Sequence, residues 1–124
     1  MKGCLFDTYV IIEYLRGNAP ATDFFRTHEG DFYISAITIA ELLSGVKGKK
    51  EKEDLKYFLS LFIVLPVSKE IATDAGLLRQ KWHRTHGMGL SHALFAATAA
   101  AFELTLYSLN EKHYGMLEFH VVPL

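Results

Sequence analysis

Short apolar runs alternate with segments of helical periodicity along this 124-residue chain, and that alternation restricts the fold more than any other feature. The run 3-GCLF-6 leads into 8-TYVIIEYLRG-17, which has apolar residues at helical spacing, Thr8 as N-cap and Gly17 as terminator. The β-branched and aromatic run 31-DFYISAI-37 leads into 38-TIAELLSGV-46, where Thr38 and Glu41 have the T-x-x-E spacing of a capping box. A third run, 62-FIVLPV-67, precedes Ser68 and the amphipathic segment 69-KEIATDAGLLRQKWHRTHG-87, which closes on a glycine. The segment 90-LSHALFAATAAAFE-103 reads as a buried helix with Ser91 as its N-cap, and 104-LTLYS-108 as a fourth strand. A fifth strand over 119-FHVVPL-124 is moved toward an edge by Pro123. The charged stretch 47-KGKKEKED-54 reads as an exposed turn entering a helix at about Asp54 to Leu61. Strands alternating with helices predict a three-layer α/β/α fold around a mostly parallel sheet of about five strands with right-handed crossovers. A chain of this length, 50% hydrophobic, suits one domain over residues 1–124.

Charge does not identify a partner. Thirteen Lys and Arg against 14 Asp and Glu leave a net charge of −1, so any nucleic-acid contact must come from a local patch. The single cysteine, Cys4, excludes an internal disulfide, and the N-terminus lacks the charged region and cleavage pattern of a signal peptide. No apolar stretch runs uninterrupted to about 18 residues, so no membrane span is expected and a cytoplasmic protein is.

In an open parallel sheet, ligands bind in the crevice beyond the carboxyl ends of the strands. Asp7 directly follows the first strand, Glu41 lies in the first turn after the second, His92 begins the buried helix and Asn110 follows the fourth strand, so all four are placed to meet there. Two carboxylates with neutral oxygen or nitrogen ligands suit a hard cation such as Mg²⁺ or Mn²⁺. Each residue also has a purely structural reading. Asp7 favours a helix N-terminus. Glu41 completes the capping box with Thr38. Asn110 sits in 108-SLNEKHYG-115, ordinary turn chemistry. His92 is either a neutral imidazole offering a lone pair to a metal or a satisfied side chain with no ligand. It is the convergence that carries the metal reading.

Two surface segments bear on nucleic acid. The segment 79-RQKWHRTHG-87 sets Arg79, Lys81 and Arg84 around Trp82, and 47-KGKKEK-52 adds four lysines. Phosphate attraction with an aromatic for stacking is one reading; solvated helix faces with Trp82 in the core is the other. His83 and His86, three apart, have the spacing of a metal pair but read as surface histidines. Neither G-x-G-x-x-G nor G-x-x-x-x-G-K-[ST] occurs, so no phosphate-cradling loop is supported.

Taken together, the motifs resemble the PIN-domain family, of the VapC type found in toxin–antitoxin pairs. The family's opening L-D-T-x-V is matched by 5-LFDTYVII-12, its second block resembles 34-ISAITIAELLSGV-46, its D-A-L-I-A-A-T-A resembles 92-HALFAATA-99, and its L-x-T-x-N-x-x-H-F is met by 106-LYSLNEKHY-114. The resemblance implies a Mg²⁺- or Mn²⁺-dependent endoribonuclease that hydrolyses RNA as the toxin of a type II pair. It implies restraint by a cognate antitoxin whose segment occupies a groove near the site, and a homodimer. It makes Asp7 the main metal ligand, Glu41 the holder of a metal-bound water or second ion, and Asn110 an outer contact. Thr8, Thr38 and Ser108 are auxiliary hydroxyls, and Ser108 stands where the family often has threonine. The departure is His92, which replaces the third acidic ligand. A neutral imidazole removes one negative charge from a hard site, so the alternative is a catalytically attenuated module that binds RNA or a protein partner.

Overall fold

The computed structural model describes residues 3–109, 111–114 and 121–123. In chain order the elements are β1 (Cys4–Phe6), α1 (Thr8–Leu15), α2 (Ala19–Thr27), β2 (Phe32–Ser35), α3 (Ala36–Ser44), α4 (Lys49–Leu59), β3 (Ile63–Leu65), α5 (Lys69–His86), α6 (Leu90–Phe102), β4 (Thr105–Ser108), a 3₁₀ turn (Glu111–Tyr114) and β5 (Val121–Pro123). The strands form one five-stranded sheet in the order β3-β2-β1-β4-β5, and every pairing is parallel. The strand ending in Pro123 lies at an edge, as its missing N–H requires.

Alternation along β1 divides the core into two layers. Leu5 packs on the side covered by α5 and α6, with Ala75, Phe95, Ala96 and Leu106. Cys4 and Phe6 face the other side, with Val10, Ile34, Leu55 and Phe62. The Phe6 ring is met edge-on by Phe24, Phe32 and Phe62 and stacked by Tyr107 at 5.7 Å. Such offset and edge contacts add to area burial where aromatics cluster. The Cys4 thiol lies 3.1 Å from His28 Nε2, and burial pushes its pKa up.

Several helix starts differ from the sequence expectation, each for a local reason. Asp7, not Thr8, caps α1: its Oδ1 accepts the Val10 N–H at 3.1 Å, which places Thr8 inside the helix. Ser35, not Thr38, caps α3 by accepting the Ile37 N–H, so Thr38 and Glu41 are both helical and form no capping box. The charged stretch is the helix itself, since α4 starts at Lys49 behind Gly48 at φ 83° and ends at Leu59. It is held by solvent-side pairs such as Lys50–Asp54 at 3.0 Å and by burial of Leu55 and Leu59. The sequence reading omitted α2, although Asn18 accepts the Ala21 N–H and Pro20 occupies its first turn, an ordinary helix-start signal. The expected turn after β4 contains the 3₁₀ turn. Helix α5 closes at Gly87, whose φ of 65° is the left-handed conformation such a terminator needs. Trp82 is half-buried against the core, with Lys81 Nζ 5.0 Å from its ring centroid. That is the packing reading of Trp82.

Candidate active site

With β2 and β3 on one side of β1, and β4 and β5 on the other, the connections reverse direction between β1 and β4. A crevice opens beyond the carboxyl ends of strands at such a switch point. Asp7 leaves the end of β1 and Ser108 ends β4, with the Asp7 N–H donating to the Tyr107 carbonyl at 3.2 Å. A recess of about 120 Å³ is lined by Asp7, Thr8, Glu41, Ser91, His92 and Phe95. Asp7 and His92 also line a larger crevice of about 580 Å³ with Ser108 and His113. Asn110 lies outside the described residues.

Asp7 is only 3% exposed, so the cap of α1 is a buried carboxylate. Its Oδ1 takes the Val10 N–H and its Oδ2 takes the hydroxyl of Tyr114 at 3.0 Å. Burial and the neighbouring Asp7 carboxylate push the Tyr114 pKa far up, which keeps the phenol protonated as a donor. The Ser108 hydroxyl acts against that rise.

Glu41 projects from α3 and is bonded through both oxygens. Oε1 accepts from Thr8 Oγ1 at 2.7 Å, and Oε2 accepts from Ser91 Oγ at 3.0 Å. The Thr38 hydroxyl lies 3.0 Å from Thr8 Oγ1. Because Thr8 gives its one hydrogen to Glu41, Thr38 must donate to Thr8. The direction is therefore Thr38 to Thr8 to Glu41, and the hydroxyls the resemblance made auxiliary form a relay. Thr8 follows Asp7 in the chain, so one backbone turn ties the two carboxylates together.

The start of α6 explains His92. Gly89, not Ser91, is the N-cap, which places His92 at the third helical position. There His92 Nδ1 accepts the Gly89 backbone N–H at 3.0 Å, as a Glu or Gln does in half of a capping box. A ring nitrogen that accepts this bond carries no hydrogen, so Nε2 holds the proton of the neutral imidazole. In this arrangement the ring has no lone pair left for a metal. Burial lowers the His92 pKa, His113 lowers it further, and the charges of Asp7 and Glu41 oppose the shift. His113 stacks on it at 4.7 Å with an interplanar angle of 9°, and donates Nδ1–H to the His86 carbonyl at 3.3 Å.

Ser91 and Tyr114 were not singled out as site residues from the sequence. The only signals for them were the hydroxyl beside His92 and the tyrosine at the last position of 106-LYSLNEKHY-114. Among the described residues no three His, Cys, Asp or Glu side chains gather to hold a metal by themselves. This still fits Mg²⁺, which keeps several waters and commonly uses one or two carboxylates.

The model of the PIN domain family matches residues 4–116. Ribonuclease VapC10 of Mycobacterium tuberculosis is 35% identical over 117 residues, covering 92% of this chain and 87% of that protein. Ribonuclease VapC1 of Rickettsia felis is 32% identical over 124 residues, covering 94% and 91%. A solved toxin–antitoxin complex from Klebsiella pneumoniae is similar in structure with a TM-score of 0.82 and 28% identity, over 96% of this chain and 95% of that one. Among the described residues no helix is long and apolar enough to cross a membrane.

Proposed function

Because this chain belongs to the PIN domain family, we propose that it is a metal-dependent endoribonuclease, using Mg²⁺ or Mn²⁺, that acts as the toxin of a toxin–antitoxin pair. The observation that carries the reading is the state of Asp7 and Glu41. All four of their oxygens accept from neutral donors, and among the described residues every salt bridge lies elsewhere. Among the described residues no cationic side chain is paired with either carboxylate, and a divalent cation is the partner that completes the charge balance. When bound, such an ion neutralises phosphate charge and makes a water more acidic.

The chain's own residues do the rest. Asp7 and Glu41 hold the ion, Thr8 and Ser91 fix the Glu41 carboxylate, and the amide N–H groups at the start of α6 favour an anionic phosphate at the recess. The neutral His92 lines that recess and adds no charge. One observation favours a weakly active enzyme: the Nδ1 lone pair of His92 is already spent on Gly89, so the third ligand position contributes no metal bond. A groove of about 530 Å³ among α1, α3 and α4 supports the antitoxin reading. Leu15, Leu42, Leu55 and Phe58 line it, and its margin carries Glu41, Glu51 and Asp54 with Arg16, a net acidic set. An apolar segment with basic flanks fits that groove and reaches the site through Glu41. Family membership supports a homodimer, which light scattering on the purified toxin tests.

The test is cleavage of single-stranded RNA by purified protein under Mg²⁺ or Mn²⁺ titration. Cleavage that requires the ion and stops with chelator supports the proposal. Absence of cleavage with both ions, or cleavage indifferent to chelator, overturns it.

A further inference from the structure

Tyr114 enters the site from far along the chain, and its hydroxyl is not idle. Tyr114 is 1% exposed, and burying a phenol hydroxyl requires a partner. The partner is Asp7 Oδ2, 107 residues away in sequence and 3.0 Å away in space. Ser108, itself 1% exposed, acts on the same phenol. The Tyr114–Asp7 bond is a counterpart to the chain from Thr38 to Thr8 to Glu41.

The 3₁₀ turn is fixed so that this reach is possible. His113, one residue before, donates to the His86 carbonyl and stacks on His92. Gly87, in the left-handed conformation at φ 65°, ends α5 next to that anchor. His92 in turn meets the Tyr114 ring edge-on at 5.5 Å. The imidazole at position 92 therefore packs against the tyrosine at position 114.

We propose that Tyr114 is a positioning residue for the metal-binding carboxylate of Asp7, holding Oδ2 by its hydroxyl so that the carboxylate keeps one orientation toward the recess. The assignment rests on the metal reading given above. Where the third acidic ligand is replaced by a neutral imidazole, fixing the orientation of Asp7 carries more of the affinity. Hydrogen-bond partners that orient a ligating group matter on a known scale: their loss costs about 10–100-fold in metal affinity or activity.

The test is Tyr114→Phe, which removes one oxygen and keeps the ring that packs on His92. Mn²⁺ binding to the intact protein is measured by calorimetry, and cleavage rate is followed as a function of Mn²⁺ concentration. The expected result is Mn²⁺ affinity weaker by about 10-fold or more, with the cleavage rate regained at high Mn²⁺. Asp7→Asn, in contrast, stays inactive at any Mn²⁺ concentration. A purely structural role would lower thermal stability and leave the Mn²⁺ affinity of the folded protein unchanged. Wild-type and Tyr114→Phe affinities within twofold of each other overturn the assignment while leaving the metal reading intact. A wild type that binds no Mn²⁺ overturns both.

Discussion

Thr8 and Glu41, 33 residues apart and on different helices, are joined by a 2.7 Å hydrogen bond from the threonine hydroxyl to Glu41 Oε1. Thr38 stands behind it, fully buried, with its own hydroxyl 3.0 Å from Thr8 Oγ1. Thr8→Val therefore strands the Thr38 hydroxyl and frees one Glu41 oxygen. An orphaned buried donor costs about 1–3 kcal/mol, so the urea midpoint falls while the m-value stays constant. Thr8→Ser keeps the hydroxyl and recovers most of the loss. A Thr8→Val midpoint equal to wild type would contradict the relay.

Asp7→Asn keeps an N-cap, because asparagine caps about as well as aspartate. The folded protein is expected to lose Mn²⁺ binding and RNA cleavage, with a stability loss of about 1–3 kcal/mol because the amide has one oxygen for the two donors Val10 N–H and Tyr114 hydroxyl. Circular dichroism establishes folding, and calorimetry with an RNA assay reads the rest. Retained cleavage in the folded variant contradicts the role given to Asp7.

These two residues also mark how far the site was legible in sequence. The strand ends put Asp7 and Glu41 at the carboxyl edge of the sheet, where both line one recess, because that edge is fixed by the alternation of elements. Their hydrogen bonds were not legible. The sequence offered Thr38 and Glu41 as a capping box, whereas Ser35 already capped the helix and freed both side chains for tertiary contacts. The Tyr114–Asp7 bond spans 107 residues, and no local pattern encodes such a pairing. The helix α4 shows the converse. Its charge run looks like a loop, but two buried leucines and paired surface charges make it helical.

The capping bond to His92 makes acid sensitivity a consequence of geometry. Protonating Nδ1 would set a second N–H against the Gly89 N–H. Burial, followed by His113, places the folded-state pKa below the ordinary 6.5, so the unfolded chain takes the proton more readily. The contribution of His92 to stability is thus complete above pH 6.5 and is lost as pH falls through the lower folded-state value. In His92→Gln the amide carbonyl accepts the same N–H without titrating. Melting temperatures taken from pH 8 to pH 5 should fall on the acid side more steeply for wild type than for His92→Gln. Parallel curves would contradict the capping role.

Leu15 is 50% exposed on the margin of the groove among α1, α3 and α4. Leu15→Glu adds charge to an already acidic margin with little burial to lose, so folding is expected to survive and surface-level stability effects of about 0.5 kcal/mol are typical. Under the proposed toxin role, co-purification with a cognate antitoxin is expected to fail, while RNA cleavage by the free protein persists. Undiminished complex formation would place the antitoxin elsewhere.

The central claim is that a divalent ion is held by Asp7 and Glu41, with His92 committed to Gly89. A crystal soaked in Mn²⁺ and measured for anomalous scattering tests it most directly. The account predicts a peak at bonding distance from a carboxylate oxygen of Asp7, about 2.0–2.3 Å for hard cations of this class, with Glu41 bound directly or through water and His92 Nδ1 still accepting the Gly89 N–H. A peak ligated by a ring nitrogen of His92, or no peak at Asp7 in saturating Mn²⁺, would contradict it.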